Sequence, residues 1–451
     1  MAFHAPLFAA LAAMALAVPT VVSHAETRTP QFQDYPFDQW AAAPDYAAIK
    51  WDVKLPPQEL SMHQRILARV EVIVPGWELE KRRGRGELVW LARFEDSTGR
   101  QFRTGDFLNL TTLQRGIQSQ ELTFTVAAFV KPGDYRVEVA VFDTKAMEHS
   151  FAHRTLHVAP MRADPLPQAW SGLPPVEILP GSEPPQSWFL PDVKGLLNLP
   201  LPPSSAPPPH IELLVNITPS LRSMNGGGNL RRSMGMAMAA LKDLGALNAK
   251  VRPPSASVMD VTRHRISLEM PNAGTPDWGA LGRLLATGNN GIIDAKSLAG
   301  QSTMRDYFAH EVARRADDSA EPRWLIVLSG PLRLSQQDES GAPIPPPDPR
   351  RHIICYRFVP VSPFVPPPDP FEESSDERIA PPRRVRGPTP GLGLTLPGDI
   401  GRGRGADAGF PDDLDLILKP MGARVVTITT PQAFRKALAA LIREIGANRL
   451  D

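Results

Sequence analysis

The sequence predicts a doubly wound α/β domain that is preceded by an all-β sandwich, with proline-rich linkers between them. Three observations carry this prediction. Residues 46–160 alternate apolar and polar side chains as strands do. After residue 209, short apolar runs alternate with segments of helical periodicity. Proline accounts for 50 of the 451 residues, and many prolines lie in runs such as PPPDP and PPP, as expected for extended connectors between folded units.

Composition excludes several classes of protein. The formal charge is +1, from 49 basic and 48 acidic side chains, so no strong field directs nucleic acid or an anionic membrane to the chain. Cys355 is the only cysteine, so an internal disulfide cannot form and the fold depends on its apolar cores. A length of 451 residues allows two or three domains of this kind.

The N-terminus predicts export. Residues 1–25 contain no Asp, Glu, Lys or Arg, and their apolar run ends in Ser23-His24-Ala25, which suits cleavage of a signal peptide. Residues 26–45 then form an N-terminal linker, and we expect a periplasmic or extracellular protein. Because the leader lacks a basic n-region, an uncleaved N-terminal anchor is the alternative. No other stretch reaches the ~18 apolar residues that span a bilayer.

Residues 46–160 contain six strand-like runs, which predict an antiparallel sandwich. The runs are IKWDVKL, RILARVEVIV, ELVWLARFED, ELTFTVAAFV, DYRVEVAVFD and HRTLHV. The pattern resembles the immunoglobulin-like or fibronectin-type modules of exported proteins. A proline-rich linker is predicted at 161–208, where Trp170, Trp188 and Phe189 are expected to dock on a neighbouring domain.

Residues 209–447 have the periodicity of an α/β domain. A strand, IELLVNI, precedes a helix that begins near Asn229 and ends near Gly245, and a hairpin turns at 262–264. Two further helices and the strands RWLIVLSG, RHIICYRFV and ARVVTITT follow. Thr430 is placed to cap the last helix, PQAFRKALAALIREI. An insertion at 360–413 lacks sustained periodicity and is predicted to be disordered.

The segment 209–230, PHIELLVNITPSLRSMNGGGNL, passes from a strand through a polar loop to a helix, an order that often builds a ligand site. A phosphate-binding loop needs G-x-x-x-x-G-K-[ST], and a dinucleotide site needs G-x-G-x-x-G. The three adjacent glycines here are followed by neither the lysine nor the third glycine. The sequence therefore excludes a nucleotide site at this loop.

This region resembles the von Willebrand factor A (VWFA-related) family, and the whole chain is similar to bacterial exported VWFA-related proteins. The resemblance implies that a D-x-S-x-S segment, a later hydroxyl and a strand-ending aspartate hold Mg²⁺ or Mn²⁺. The matching positions in this sequence are Asn216, Thr218, Ser220, Ser302 and Ser329. It also implies that the top edge of the α/β sheet is a docking face for a protein partner.

Both family carboxylates are replaced by neutral residues, at Asn216 and Ser329. Hard divalent cations are normally held by carboxylates and waters, so we expect a degenerate site without metal. In the alternative without a ligand, Asn216, Thr218 and Ser220 cap the strand–helix turn by local bonds. The alternative function is a cation-dependent adhesion module, in which Asp338 or an acid of the insertion supplies the missing carboxylate to the site.

No catalytic constellation is evident. Ser329-Gly330 is not part of a G-x-S-x-G elbow, and His149 and His153 are expected in a surface loop without a third ligand. His352 and Cys355 share a predicted strand but face opposite sides. The pairs Glu372-Glu373 and Asp412-Asp413 lie where nothing is expected to fix their separation. We therefore expect a non-enzymatic interaction protein without a cofactor, with a cryptic hydrolase as the alternative from another class.

Overall fold

The structure is a computed structural model. It describes residues 35–42, 48–179, 193–203, 207–218, 227–248, 251–288, 301–317, 323–332, 351–360 and 412–447. The predicted signal peptide, Trp188, Phe189, Ser220, Asp338 and residues 361–411 of the predicted insertion lie outside these ranges.

The N-terminal half contains two antiparallel sheets. The first has the order β1-β3-β6-β9, and β2 also pairs with β3. Its strands are β1 (Asp52–Lys54), β2 (Glu59–Leu60), β3 (Ile66–Pro75), β6 (Glu121–Val130) and β9 (Val176–Leu179). The second has the order β5-β4-β7-β8. Its strands are β4 (Glu87–Asp96), β5 (Gln101–Asn109), β7 (Gly133–Asp143) and β8 (Glu148–Val158).

The two sheets pack face to face through one apolar core. Val70 and Val72 of β3 meet Trp90 of β4 and Val137 and Val139 of β7 in this core, and all five are buried. The alternation seen in the sequence places these residues on the inner faces. Helix α1 (Phe37–Ala42) covers part of the outer face of the second sheet, and α2 (Gly76–Arg82) joins β3 to β4.

The C-terminal half contains a six-stranded sheet of order β12-β11-β10-β13-β14-β15. Only β12 runs antiparallel to its neighbour; the other pairs are parallel. The strands are β10 (His210–Asn216), β11 (Ser255–Asp260), β12 (Arg265–Met270), β13 (Arg323–Ser329), β14 (Arg351–Phe358) and β15 (Arg424–Ile428). The predicted hairpin with its turn at 262–264 is confirmed.

Helices cover both faces of this sheet, as buried parallel strands require. They are α3 (Gly227–Gly245), α4 (Trp278–Gly288), α5 (Gln301–Asp317), α6 (Asp413–Leu418) and α7 (Pro431–Ala447). Helices α3, α4 and α7 contribute to the core on one face, and α5 and α6 to the core on the other. Seven helices thus accompany three sheets within the described ranges.

The segment predicted as the 161–208 linker is partly structured. Val176–Leu179 forms β9 and pairs with β6 in the first sheet. Leu197, Leu199 and Leu201 are buried in the same core as α3 and α7. The prediction that Trp170 docks is confirmed, since its Nε1 donates a hydrogen bond to the carbonyl oxygen of Gln64 at 2.7 Å.

The turn between β2 and β3 joins the two halves. Met62 lies in the core of the C-terminal half, and the Gln64 side chain donates to the carbonyl oxygen of Pro431 at 3.1 Å. Arg435 of α7 is buried and binds both carboxylate oxygens of Asp164, at 2.6 and 2.8 Å. The halves therefore share apolar packing and buried polar bonds.

None of the helices that the structure describes is both long enough and apolar enough to cross a bilayer.

Candidate functional site

Three of the five predicted site positions meet at the carboxyl edge of the parallel sheet. Asn216 ends β10, Thr218 follows it by two residues, and Ser329 ends the neighbouring strand β13. Because β10 and β13 are parallel neighbours in the sheet, both strands end at the same edge and these residues lie together. All three are buried, with 2%, 6% and 0% of their surface exposed. They are called the polar trio below.

Asn216 and Ser329 bind each other directly. The Asn216 Nδ2 donates to the Ser329 Oγ at 3.0 Å, and the Ser329 hydroxyl donates in turn to the Gly330 carbonyl oxygen at 2.7 Å. The Asn216 Oδ1 accepts from the Thr218 backbone N–H at 3.0 Å. Each of the two side chains is thus both donor and acceptor within the protein.

Thr218 extends the network to the next strand. Its Oγ1 accepts a hydrogen bond from the Val261 backbone N–H at 2.7 Å, immediately after β11 ends at Asp260. The polar trio therefore connects the ends of β13, β10 and β11. The local bond from Thr218 to Asn216 is of the kind predicted for a capped turn, whereas the two bonds between strands were not predicted.

The donor set does not fit a hard divalent cation. The polar trio offers only neutral oxygens, and Mg²⁺ and Mn²⁺ prefer carboxylates. Asn216 directs an N–H, not an oxygen, at Ser329. Ser220 lies outside the described ranges; Ser302 lies in the first turn of α5, where the structure describes the backbone but not its side chain. We therefore derive no step through a metal ion.

Two carboxylates near this edge are engaged elsewhere. Asp260 binds the Arg263 guanidinium at 3.0 Å and also accepts from the Thr262 hydroxyl. Asp412 caps α6, where its Oδ1 accepts from the Leu332 N–H at 3.1 Å and from the Leu414 N–H at 3.0 Å. The sequence analysis expected nothing to fix the separation of the Asp412 and Asp413 carboxylates, whereas the structure fixes Asp412 through the Leu332 N–H, 80 positions away in the chain. Across the described ranges, no group of three or more His, Cys, Asp or Glu residues could hold a metal ion.

Ser233 is a neighbour of the site that the sequence interpretation missed. A Cβ on Gly330 would lie 3.1 Å from the Ser233 Cβ, so α3 passes very close to the end of β13. Glycine leaves room for this approach. Ser233 is buried as well. Its position five residues after the last of the three glycines gave no signal in the sequence.

The other candidate pairs have structural explanations. His149 and His153 lie within β8, not in a loop, and the His149 ring stacks on Trp40 with centroids 5.0 Å apart. His352 stacks on Trp324 on one side of the sheet, while Cys355 is buried in the core on the other side, so the opposite orientations are confirmed. Burial raises the pKa of the Cys355 thiol well above its ordinary value.

The hairpin turn that follows β11 is an exposed part of this edge. Arg263, His264 and Arg265 are all exposed. The His264 Nε2 lies 3.2 Å from the Thr303 Oγ1 of α5, and the His264 ring meets the Tyr307 ring edge-on at 5.3 Å. Burial, together with nearby negative charge, raises the pKa of Tyr307 to about 12, so the phenol is neutral at physiological pH.

Neither a protein-family model nor a curated protein matches this chain.

Proposed function

We propose that this is an exported, non-enzymatic protein-interaction module whose C-terminal half is a VWA-like domain with a degenerate, metal-free site. In the proposal, the carboxyl edge of the six-stranded sheet docks a protein partner, and binding needs no divalent cation. The N-terminal half serves as an immunoglobulin-like module, an assignment supported by its two antiparallel sheets around one core.

The hydrogen bond between Asn216 and Ser329 carries the metal-free part of the proposal. At the positions where the family resemblance implies two aspartates, an amide and a hydroxyl bind each other at 3.0 Å. A cation between them would break this bond and turn the amide group around. Each lost bond costs about 1 kcal/mol, and no carboxylate charge compensates.

Burial of the polar trio supports a structural role for these residues within that module. Their exposure of 6% or less leaves a partner almost no surface to contact. Their bonds instead hold three strand ends in register and so support the loops that a partner would meet. In the proposal, the family resemblance gives the location of the docking face, and exposed residues next to the polar trio make the contacts with the partner.

Retention of a partner without divalent cations tests the proposal. The chain from residue 26 onward is immobilised, proteins of the native envelope are captured, and retention is compared in EDTA and in Mg²⁺. Both halves are included because Met62 of the N-terminal half packs in the core of the C-terminal half. Equal retention in the two buffers is expected, and release in EDTA would contradict the proposal.

A further inference from the structure

The turn of the β11–β12 hairpin presents three consecutive nitrogen-bearing side chains to solvent. Arg263, His264 and Arg265 are exposed, and they directly precede or begin β12. Arg265 has no ion-pair or hydrogen-bond partner for its side chain among the residues that the structure describes. We name Arg263–Arg265 the basic turn.

Hydrogen bonds within the hairpin fix the conformation of the basic turn. The Asp260 carboxylate accepts from the Arg263 backbone N–H at 3.2 Å and from its Nη1 at 3.0 Å. The His264 N–H donates to the Val261 carbonyl oxygen at 3.2 Å. His264 has a φ of +46°, a left-handed conformation that is uncommon outside glycine and found in turns of this type. The turn is therefore ordered by backbone and side-chain hydrogen bonds within the hairpin.

Neighbouring elements brace the basic turn from two sides. Thr218 of the polar trio accepts from the Val261 N–H, and Thr303 and Tyr307 of α5 contact the His264 ring. Because these contacts already restrict the turn, little conformational entropy remains to be lost when a partner binds. This pre-organisation distinguishes the turn from an ordinary solvated run of charge.

The local charge balance favours an anionic partner. Asp260 is the acid bonded to the turn; its side chain is 6% exposed and its charge offsets that of Arg263. Among the residues that the structure describes, no acid is bonded to Arg265, and the Arg263 side chain stays 42% exposed despite its bond. The half-buried Asp306, one helical turn beyond Thr303 on α5, is the next acid along that helix. Within the described ranges, the accessible surface of the turn is therefore mainly positive.

We propose that the basic turn recognises a carboxylate-bearing segment of the protein partner, such as a short run of Asp and Glu. Guanidinium groups bind carboxylates in a two-pronged geometry that ammonium groups do not match. Nucleic acid and anionic bilayers are bound through broader basic surfaces than three side chains, and the net charge of +1 provides no such surface. This inference rests on the proposed function, since it names the chemistry of the same docking face.

A fluorescent hexaglutamate peptide is the probe for the test. Its binding to the chain from residue 26 onward is measured by anisotropy at low salt in EDTA. Saturable binding that weakens with added salt is expected, and Arg265→Glu should reduce affinity by about five-fold or more. The matched control is Arg85→Glu, because Arg85 is an exposed arginine between α2 and β4 of the N-terminal half, whereas the basic turn belongs to the C-terminal half. Circular dichroism confirms that each variant is folded.

Four results would overturn the inference. Three of them are unchanged binding in Arg265→Glu, an equal loss in Arg85→Glu, and binding that salt does not weaken. The fourth is tighter peptide binding after deletion of 369–378, since the occupant would then be an acidic segment of the same chain. That segment carries Asp369, Glu372, Glu373, Asp376 and Glu377. If an envelope protein is retained in EDTA and is retained equally by Arg265→Glu, the inference fails while the proposed function stands.

Discussion

Replacement of Arg435 by methionine tests how the two halves are held together. The arginine is 1% exposed and reaches from α7 to the N-terminal half. There it makes two bonds to Asp164, at 2.6 and 2.8 Å, and one to the Leu166 carbonyl oxygen at 2.9 Å. Its guanidinium also lies 4.7 Å from the centroid of the Trp170 ring. Methionine keeps much of the apolar stem and removes all of these bonds.

The expected loss comes mainly from the carboxylate left behind. Burial raises the pKa of Asp164, but hydrogen bonds from Arg435 and the Leu166 N–H outweigh this effect and lower the pKa overall. Without the Arg435 guanidinium, the partly buried Asp164 carboxylate keeps only its hydrogen bond from the Leu166 backbone N–H. Removing one partner of a buried ion pair typically costs 3–5 kcal/mol, so we expect about 3 kcal/mol for Arg435→Met.

Urea unfolding followed by fluorescence measures the free energy of unfolding of Arg435→Met and of Arg435→Met combined with Asp164→Asn. The double variant should regain about 1 kcal/mol, because it no longer leaves a charge without its partner. The control is Arg424→Met, which breaks an ion pair with Glu444 whose side chains are 48% and 36% exposed. That change should cost less than about 1 kcal/mol. A loss in Arg435→Met no larger than the control would refute the reasoning.

Three further predictions concern stability. Burial lowers the pKa of His63 from 6.5 to about 3, so below pH 6.5 the unfolded state binds a proton that the folded state does not. The free energy of unfolding is therefore largest above pH 6.5 and falls towards pH 3 by at most about 1.4 kcal/mol per pH unit. His63→Gln should reduce this slope. Thr218→Val removes the acceptor of the Val261 N–H and should cost about 1–3 kcal/mol and speed exchange of that amide. Thr430→Ala removes the oxygen that accepts from the Ala433 N–H at 3.1 Å and should cost about 1 kcal/mol.

The exposed Thr429 supplies matched controls for the threonine variants, and Thr429→Val and Thr429→Ala should each change stability by less than about 0.5 kcal/mol. Equal effects at Thr429 and Thr430 would show that the cap is not the cause. Unchanged amide exchange at Val261 in Thr218→Val would contradict the bond between the polar trio and the hairpin. The His63 prediction is checked by urea unfolding of the wild type and of His63→Gln between pH 3 and pH 6.5. An unchanged dependence of the free energy of unfolding on pH in His63→Gln would argue against burial of His63.

Local sequence signals predicted much of the C-terminal half. The apolar runs that became β10, β13 and β14 are continuous because both faces of those strands are buried. The last helix begins at Pro431, and the Thr430 hydroxyl caps it as predicted. The family resemblance placed Asn216 and Ser329 in one site, and the structure brings them together because they end neighbouring parallel strands.

What the sequence could not predict depends on contacts between remote residues. Proline content made 161–208 look like a linker, yet Val176–Leu179 gains strand structure by pairing with β6. Asp412 is fixed by the Leu332 N–H, 80 positions away along the chain. His149 belongs to a strand and stacks on an aromatic residue of α1, a helix too short to stand out by periodicity. In each case the stabilising partner has no local signature.

Thermal melting with and without a divalent cation tests the central claim most directly. The wild-type chain and the variant Asn216→Asp with Ser329→Asp are melted in millimolar Mn²⁺ and in EDTA. We predict the same melting temperature for the wild type in both buffers and a Mn²⁺-dependent rise for the variant, since ligand binding stabilises the folded state. A rise in the wild type that Thr218→Ala abolishes would contradict the account.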